Sequence, residues 1–310
     1  MKEIIINDEY KDMRLDRFVT KVTNLSKVEI QKLLRKKNIK VNGKKEQGSY
    51  RTKKLDKIQF YINEEHFKIE KKVKAVNTNK LDIIYEDENI IIVNKPAGIL
   101  SQGNGSNKAD VVSMLKSYLN TNTTGIITRL DLNTSGIVIA GKNRRSLMLL
   151  NEISKKNLID KRYLTLVYGE FKNEGKVTLY GIKDRKQNKL ILNKEKINGA
   201  FEVSAFFKIK KKYKDYTLLE VKLITGKSHQ IRSQLNALGY SVLGDRKYDD
   251  NKKTDSNMTL NRQFLHCYKV TINYDEKYKD IIKEKKQFNS PLPKDLEKVI
   301  SLLEKTDKFW

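Results

Sequence analysis

Arg129 and Asp131 stand two residues apart between two β-branched runs, Ile126–Leu130 and Ile137–Ala140. Asn133, Thr134, Ser135 and Gly136 separate the runs, the pattern of two strands around a tight connection. Gly136 can take a positive φ there without steric cost. Asp131 is therefore expected at the lip of a sheet, directly after a strand. Residues i and i+2 of an extended segment point the same way. The carboxylate should then lie beside a guanidinium, stay ionised near neutral pH and be able to act as a nucleophile. Two plainer readings compete. Asp131 can cap its own turn, and Asp131, Asn133 and Ser135 mimic the start of a calcium loop. The second needs an acidic residue at the twelfth position, where Lys142 stands instead.

Three further stretches carry polar chemistry. Thr225–Arg232 places Lys227, His229 and Arg232 at the start of a helix expected to run to about Leu238, and cations at a helix start make an anion site. Ile231, Leu235 and Leu238 form its apolar stripe. Lys161–Gly169 reads as a strand with Tyr163, Thr165 and Val167 on one face. Asn94–Gly98 is a Pro- and Gly-containing loop in which Lys95 is a candidate phosphate contact.

A formal net charge of +26 on 310 residues exceeds what solubility requires and points to polyanionic partners. No apolar run approaches a membrane span. The start, Met1–Ile4, has no apolar segment of signal-peptide length. A cytoplasmic protein without membrane partners is expected. The single Cys267 excludes an internal disulfide or a cysteine-rich zinc site, and His66, His229 and His266 show no metal spacing. No metal is expected.

Before these stretches lies a small basic unit. Leu15, Phe18, Val19 and Val22 recur at helical spacing, and Ser26 with Glu29 opens a second helix through about Arg35. Val28, Ile30, Leu33 and Leu34 are its expected buried side. Lys27, Lys32, Arg35, Lys36 and Lys37 are candidate RNA contacts. Ile39–Val41 enters an Asn42-Gly43 hairpin turn, and Leu55–Ile62 closes the unit. Asn63–Lys80 is polar and Lys-rich and reads as a linker.

Arg129-Leu130-Asp131, followed by Thr134-Ser135-Gly136, resembles the catalytic motif of the RluA-type RNA pseudouridine synthases. Asn94–Gly98 resembles their first motif, Lys161 with Tyr163 their conserved strand, and Gln230-Ile231-Arg232 their third motif. The resemblance spans about Leu81 to Ile272, while Arg14–Phe18, Ser26 and Ile39–Gly43 resemble the RNA-binding domain named after ribosomal protein S-four. Two positions depart from the family pattern: Thr128 replaces a His and Lys227 an Arg. The resemblance implies that Asp131 is the catalytic residue, that Arg232 pairs with it and that Tyr163 packs on the target base. Arg129 would fill the gap left by a flipped uridine. Lys95, Lys227, His229 and Gln230 would contact substrate. It implies no cofactor.

The expected fold is α+β. A small helical RNA-binding domain (1–65) and a linker (66–80) precede a large catalytic domain (81–310) on a mixed, mainly antiparallel sheet crossed by the active cleft. The expected function is isomerisation of uridine to pseudouridine by a monomer, with ribosomal RNA of the large subunit favoured as target and transfer RNA as the alternative. The alternative is a non-catalytic RNA-binding or ribosome-assembly protein that retains the fold. A binding protein has no need of Asp131, Tyr163 and Arg232 together.

Overall fold

The computed structural model describes all residues except 8–9, 68–76, 79–80, 104–109, 185–188, 249–259, 275, 280, 283–285 and 308–310. The chain forms two compact units, Met1–Lys74 and Ala75–Trp310.

The first unit is not purely helical. Strands β1 (Lys2–Ile5), β2 (Ile39–Val41) and β3 (Lys57–Phe60) form an antiparallel sheet in the order β1-β3-β2. Helices α1 (Leu15–Val22) and α2 (Lys27–Arg35) complete the unit. Leu15, Phe18 and Val19 from α1 and Ile30 and Leu34 from α2 share a buried cluster with Ile39, Val41, Ile58 and Phe60. Two short helices alone could not enclose these aromatics, so the sheet supplies the other half of the core. Ser26 caps α2 through a capping box with Glu29. Val28, expected on the buried side, is 77% exposed, because the inward stripe of α2 runs through Ile30 and Leu34. The start of the expected linker also belongs to this unit. Glu64–His66 forms a 3-10 turn, and Phe67 packs edge-on against Phe60 at 5.1 Å. Residues 68–76, 79 and 80 of that linker lie outside the described residues.

The second unit is built on an eleven-stranded sheet. Its strands are β4 (Asp82–Glu86), β5 (Ile90–Lys95), β6 (Gly125–Ile126), β7 (Ser135–Gly141), β8 (Ile159–Tyr168), β9 (Gly175–Asp184), β10 (Lys189–Asn193), β11 (Phe201–Lys212), β12 (Tyr216–Leu223), β13 (Leu265–Ile272) and β14 (Lys286–Asn289). The main path runs β10-β9-β11-β12-β8-β13-β7-β5-β4, with β14 beside β13 and β6 beside β7. All pairings are antiparallel except β13 with β7, which meet only at His266–Ser135 and Cys267–Gly136. Gly136 is obligatory at that crossing. Its φ is +117°, and a Cβ would lie 2.2 Å from the Cys267 carbonyl oxygen.

The central strands are covered on both faces, so they read as continuous apolar runs rather than alternating ones. Ile90–Val93 and Ile137–Ala140 are essentially fully buried. Helices α3 (Val111–Tyr118) and α4 (Arg144–Lys155) follow the strands, each opened by a capping box, at Asp110 and Asn143. Helix α5 (Gln230–Ala237) is buried nearly all round its first turns. Helix α6 (Lys294–Asp307) buries Leu296, Val299 and Leu303.

Candidate active site

Asp131 lies in the irregular stretch between β6 and β7, Tyr163 on β8 and Arg232 in the first turn of α5. The fold brings all three together. Arg232 is gripped by a carboxylate other than Asp131: its Nε and Nη2 donate to Asp245 Oδ2 and Oδ1 at 2.6 Å each. The remaining Nη1 lies 3.5 Å from Asp131 Oδ2. His229 Nε2 stands 3.9 Å from the other oxygen, Oδ1. Two carboxylates thus share one guanidinium, and only one of them is open. The Asp245 side chain is 1% exposed and the Asp131 side chain 24%.

The backbone around Asp131 is clamped from three sides. Ser101 Oγ donates to the Leu130 carbonyl at 2.8 Å and accepts from the Leu130 amide at 2.9 Å. The Leu132 carbonyl accepts from Lys95 Nζ at 3.1 Å and from the Gly98 amide at 2.9 Å. Arg262 Nη1 donates to the Asn133 carbonyl at 3.1 Å while its other nitrogens hold Asp295 at the start of α6. Gln263 Nε2 donates to Thr134 Oγ1 at 3.2 Å. A reactive group on so constrained a turn is pre-positioned rather than mobile.

Electrostatics separate the roles further. Burial raises the Tyr163 phenol well above its ordinary value, and contact with the buried Cys267 thiol and the charge of Asp131 add to this. Tyr163 is therefore a neutral ring, not a base. Burial pushes the Cys267 thiol up to about 12. Burial also lowers His229 below the ordinary imidazole value. Asp131 opposes that shift, and Arg232 and Lys247 add to it. Its imidazole is neutral near pH 7. Burial of Arg232 works against its charge, but the hydrogen bonds and charge of Asp245, with Asp131, more than compensate and keep it cationic.

A family model described as RNA pseudouridylate synthase matches residues 89–237, a span that contains Asp131, Tyr163 and Arg232. An uncharacterized RNA pseudouridine synthase of Mycoplasma genitalium is 31% identical over 291 residues, covering 86% of this chain and 88% of that protein. The chain belongs to the RNA pseudouridine synthase family. A ribosomal large subunit pseudouridine synthase C of Rickettsia bellii is 32% identical over 274 residues, covering 84% of the chain and 89% of that protein. The fold agrees: human RNA pseudouridylate synthase domain containing 4 superposes with a TM-score of 0.59 at 17% identity, over 72% of this chain and 93% of that one. The protein is an isomerase that converts uridine to pseudouridine in RNA.

Several residues of the synthase do not stand where the sequence places them. Lys95 is no phosphate contact. It is 1% exposed, and its ammonium donates to the carbonyls of Pro96, Ile99 and Leu132. It ties the 96–99 loop to the turn after Asp131. Gln230 is likewise turned inward. Its amide nitrogen donates to the Ser204 carbonyl and to Gln234, and its oxygen accepts from Thr225 Oγ1 and the Lys227 amide. Arg129 is exposed and does not pair with Asp131, whose ion-pair partner among the described residues is Arg232, with the neutral His229 3.9 Å away. The expected strand Ile126–Leu130 is reduced to Gly125–Ile126. The Ile127 amide still donates to the Ile139 carbonyl at 2.8 Å, but from Thr128 on backbone groups bond side chains instead: Thr128 Oγ1 accepts from the Ile139 amide, and Ser101 holds Leu130. Lys227 remains exposed, its ammonium 4.8 Å above the Phe201 ring. His266 bridges Ser135 Oγ and the Ser290 carbonyl in the core. Asp245, Arg262 and Tyr248 were not singled out for roles in the site. The signal for Asp245 is a Gly244-Asp245 turn, where the carboxylate also accepts from the Lys247 and Tyr248 amides.

Proposed function

We propose that Asp131 is the nucleophile of the isomerisation and that the target uridine lies in large-subunit ribosomal RNA. One observation carries the first part. Of the two carboxylates sharing Arg232, Asp245 is closed and doubly bonded, while Asp131 is open to a ligand and held on a clamped turn. In the reaction the bond from ribose C1′ to uracil N1 breaks and a bond from C1′ to uracil C5 forms. The hydrogen on C5 leaves and N1 gains one, so nothing is oxidised or added. A carboxylate that bonds transiently to the sugar or the ring lets the base turn without leaving. Arg232 orients Asp131, and Tyr163 offers an apolar ring beneath the base. Arg129, exposed beside the site, fills the space vacated when the uridine is flipped out, a step that costs a few kcal/mol.

The names of the relatives support a ribosomal target, as does the high positive charge. The first unit is the proposed S-four-like RNA-binding domain. Lys27, Lys32, Arg35, Lys36 and Lys37 are exposed on or just after α2 and would lie against phosphates. The candidate residues come from one chain, which supports action as a monomer, and ribosomal RNA as target supports a cytoplasmic location. Among the described residues no helix is long and apolar enough to cross a membrane.

The test is Asp131→Asn. RNA binding should persist while isomerisation disappears. Residual turnover within about tenfold of the unmodified protein, a barrier change of about 1.4 kcal/mol, would overturn the nucleophile role. Mapping pseudouridines in a strain lacking the chain checks the target. Loss from transfer RNA alone would overturn the ribosomal assignment and leave the chemistry standing.

A further inference from the structure

His229 has three unusual features, and each rests on a different observation. It is a non-glycine residue in the left-handed region, with φ 57° and ψ 19°, immediately before α5. Such backbone costs on the order of 1 kcal/mol or more and persists where the surroundings enforce it. Its Nε2 faces Asp131 Oδ1, the oxygen that Arg232 does not reach. Its Nδ1 lies 3.2 Å from Tyr248 Oη. That hydroxyl also accepts from the Leu190 amide at 3.0 Å.

The hydrogen-bond network assigns the tautomer. A phenol has one hydrogen to donate, and a buried hydroxyl finds an acceptor. Leu190 N–H is a donor, so the acceptor beside Tyr248 Oη is His229 Nδ1. A neutral imidazole whose Nδ1 accepts carries its proton on Nε2. The proton-bearing nitrogen is then the one aimed at Asp131. At 3.9 Å it is not yet a hydrogen bond, but catalytic hydrogen bonds often tighten only when substrate is bound.

We propose that His229 is a neutral donor that positions Asp131 through Oδ1, and that Tyr248 is a second positioning residue that fixes the imidazole in the Nε2–H form. This rests on the reading of Asp131 as the nucleophile. With Nε2 protonated and Nδ1 occupied, His229 has no free lone pair and does not remove the proton from uracil C5. It completes a two-sided hold in which Arg232 faces Oδ2 and His229 faces Oδ1. Asp131 and Asp245 favour protonation of this imidazole, whereas burial, Arg232 and Lys247 disfavour it. The hydroxyl of Tyr248, by occupying Nδ1, also disfavours it.

The experiment compares His229→Gln, which keeps a donor at the ε position, with His229→Met, which has the same length and no donor. Both bear the same left-handed backbone, so strain cancels between them. His229→Met should lose at least about tenfold in kcat with KM changed less than about threefold, and His229→Gln should retain kcat within about threefold. Tyr248→Phe frees Nδ1 and releases the tautomer, so the imidazole nitrogen shifts of that variant should show a mixture of Nε2–H and Nδ1–H forms, with kcat lowered at least about threefold. The imidazole nitrogen shifts of the unmodified protein, read by NMR without turnover, should show Nε2–H and an unprotonated Nδ1. Equal kcat losses in both His229 variants, no loss in either, a change in KM alone, an unchanged tautomer in Tyr248→Phe or an Nδ1–H tautomer in the unmodified protein would each overturn the proposal. If Asp131→Asn stays active, the nucleophile reading fails. If Asp131→Asn is dead while His229→Met is normal, only the present proposal fails.

Discussion

The carboxylate of Asp245 holds the guanidinium of Arg232 through two hydrogen bonds of 2.6 Å, parallel and almost sealed from solvent. Planar two-pronged pairing of this kind fixes direction as well as distance. It leaves Arg232 with one nitrogen to present to Asp131, so the geometry of the site depends on a residue that never faces the substrate side.

Asp245→Asn should therefore damage both stability and turnover. Removing one partner of a buried pair leaves the other uncompensated and costs about 3–5 kcal/mol. Chemical denaturation reads that loss, and single-turnover kinetics should show kcat falling at least about tenfold with little change in RNA affinity. The pH dependence has a definite sign. Burial alone would raise the Asp245 carboxyl, but the hydrogen bonds and charge of Arg232, aided by the Lys247 and Tyr248 amides, hold it below its ordinary value. Its contribution is complete above the unfolded carboxyl range, near pH 4, and is lost as pH falls through the lower folded value. The acid-induced loss should be smaller in Asp245→Asn.

Lys95→Met keeps the length of the buried side chain and removes its three donors. The carbonyls of Pro96, Ile99 and Leu132 lose a partner, at a cost of about 1–3 kcal/mol, and the turn after Asp131 loosens. Turnover should drop while RNA affinity holds, which separates this role from a phosphate contact. Burial pushes the Lys95 ammonium down to about 7, with Asp131 opposing and Arg262 adding. The three carbonyl acceptors also favour the ammonium. Between that value and about 10.4 the unfolded chain holds a proton that the folded chain lacks, so stability rises with pH by up to about 1.4 kcal/mol per unit. That part of the slope should vanish in Lys95→Met.

Gly136→Ala should be among the most damaging single methyl additions in the chain. The new Cβ would lie 2.2 Å from the Cys267 carbonyl oxygen at a φ of +117°, and a core clash of this kind costs roughly 3 kcal/mol or more. Gly43→Ala is the control. Its φ is +78°, and nothing lies within 4 Å of the added atom, so only the backbone cost of about 1 kcal/mol applies. Similar melting temperatures for the two variants would contradict this account.

Replacing Lys27, Lys32 and Arg35 together with Gln tests the first unit as an RNA-binding domain. Affinity for structured RNA should fall, and the slope of log affinity against log salt should shallow by roughly 2 as fewer counterions are released. Turnover at saturating RNA should be unchanged, since a contact felt equally in ground and transition states alters binding alone. An unchanged salt slope would remove this face from the interface.

That Asp131, Tyr163 and Arg232 lie together was expected from the family resemblance, which short local strings carry. The antiparallel character of the large sheet was legible through β-branched runs separated by turns. Lys95 and Gln230 were misplaced because a polar side chain reads as solvent-facing. Whether buried carbonyls await it depends on loops joined across the fold. Asp245 was passed over as a partner for Arg232 because their pairing exists only once α5 and the following turn have packed. Ile126–Leu130 has strand-forming residue types, yet Thr128 and Ser101 take up backbone groups that a ladder would have used. Val28 fits a helical stripe by spacing, and only the position of the three-stranded sheet shows that the stripe lies elsewhere.

Strand β13 lies between β8 and β7, and among the described residues no other strand pairing joins the part of the sheet that leads out from Asp131 to the part that carries Tyr163. Yet β13 begins at Leu265, after Asp131, Tyr163, Arg232 and Asp245 have all been made. A chain growing from its N-terminus therefore holds every proposed reactive group before it holds the strand that unites them. Until β13 threads into place, the emerging polypeptide carries a complete set of parts and no assembled centre. The uniting strand thus comes late in the chain, after every group that it brings together.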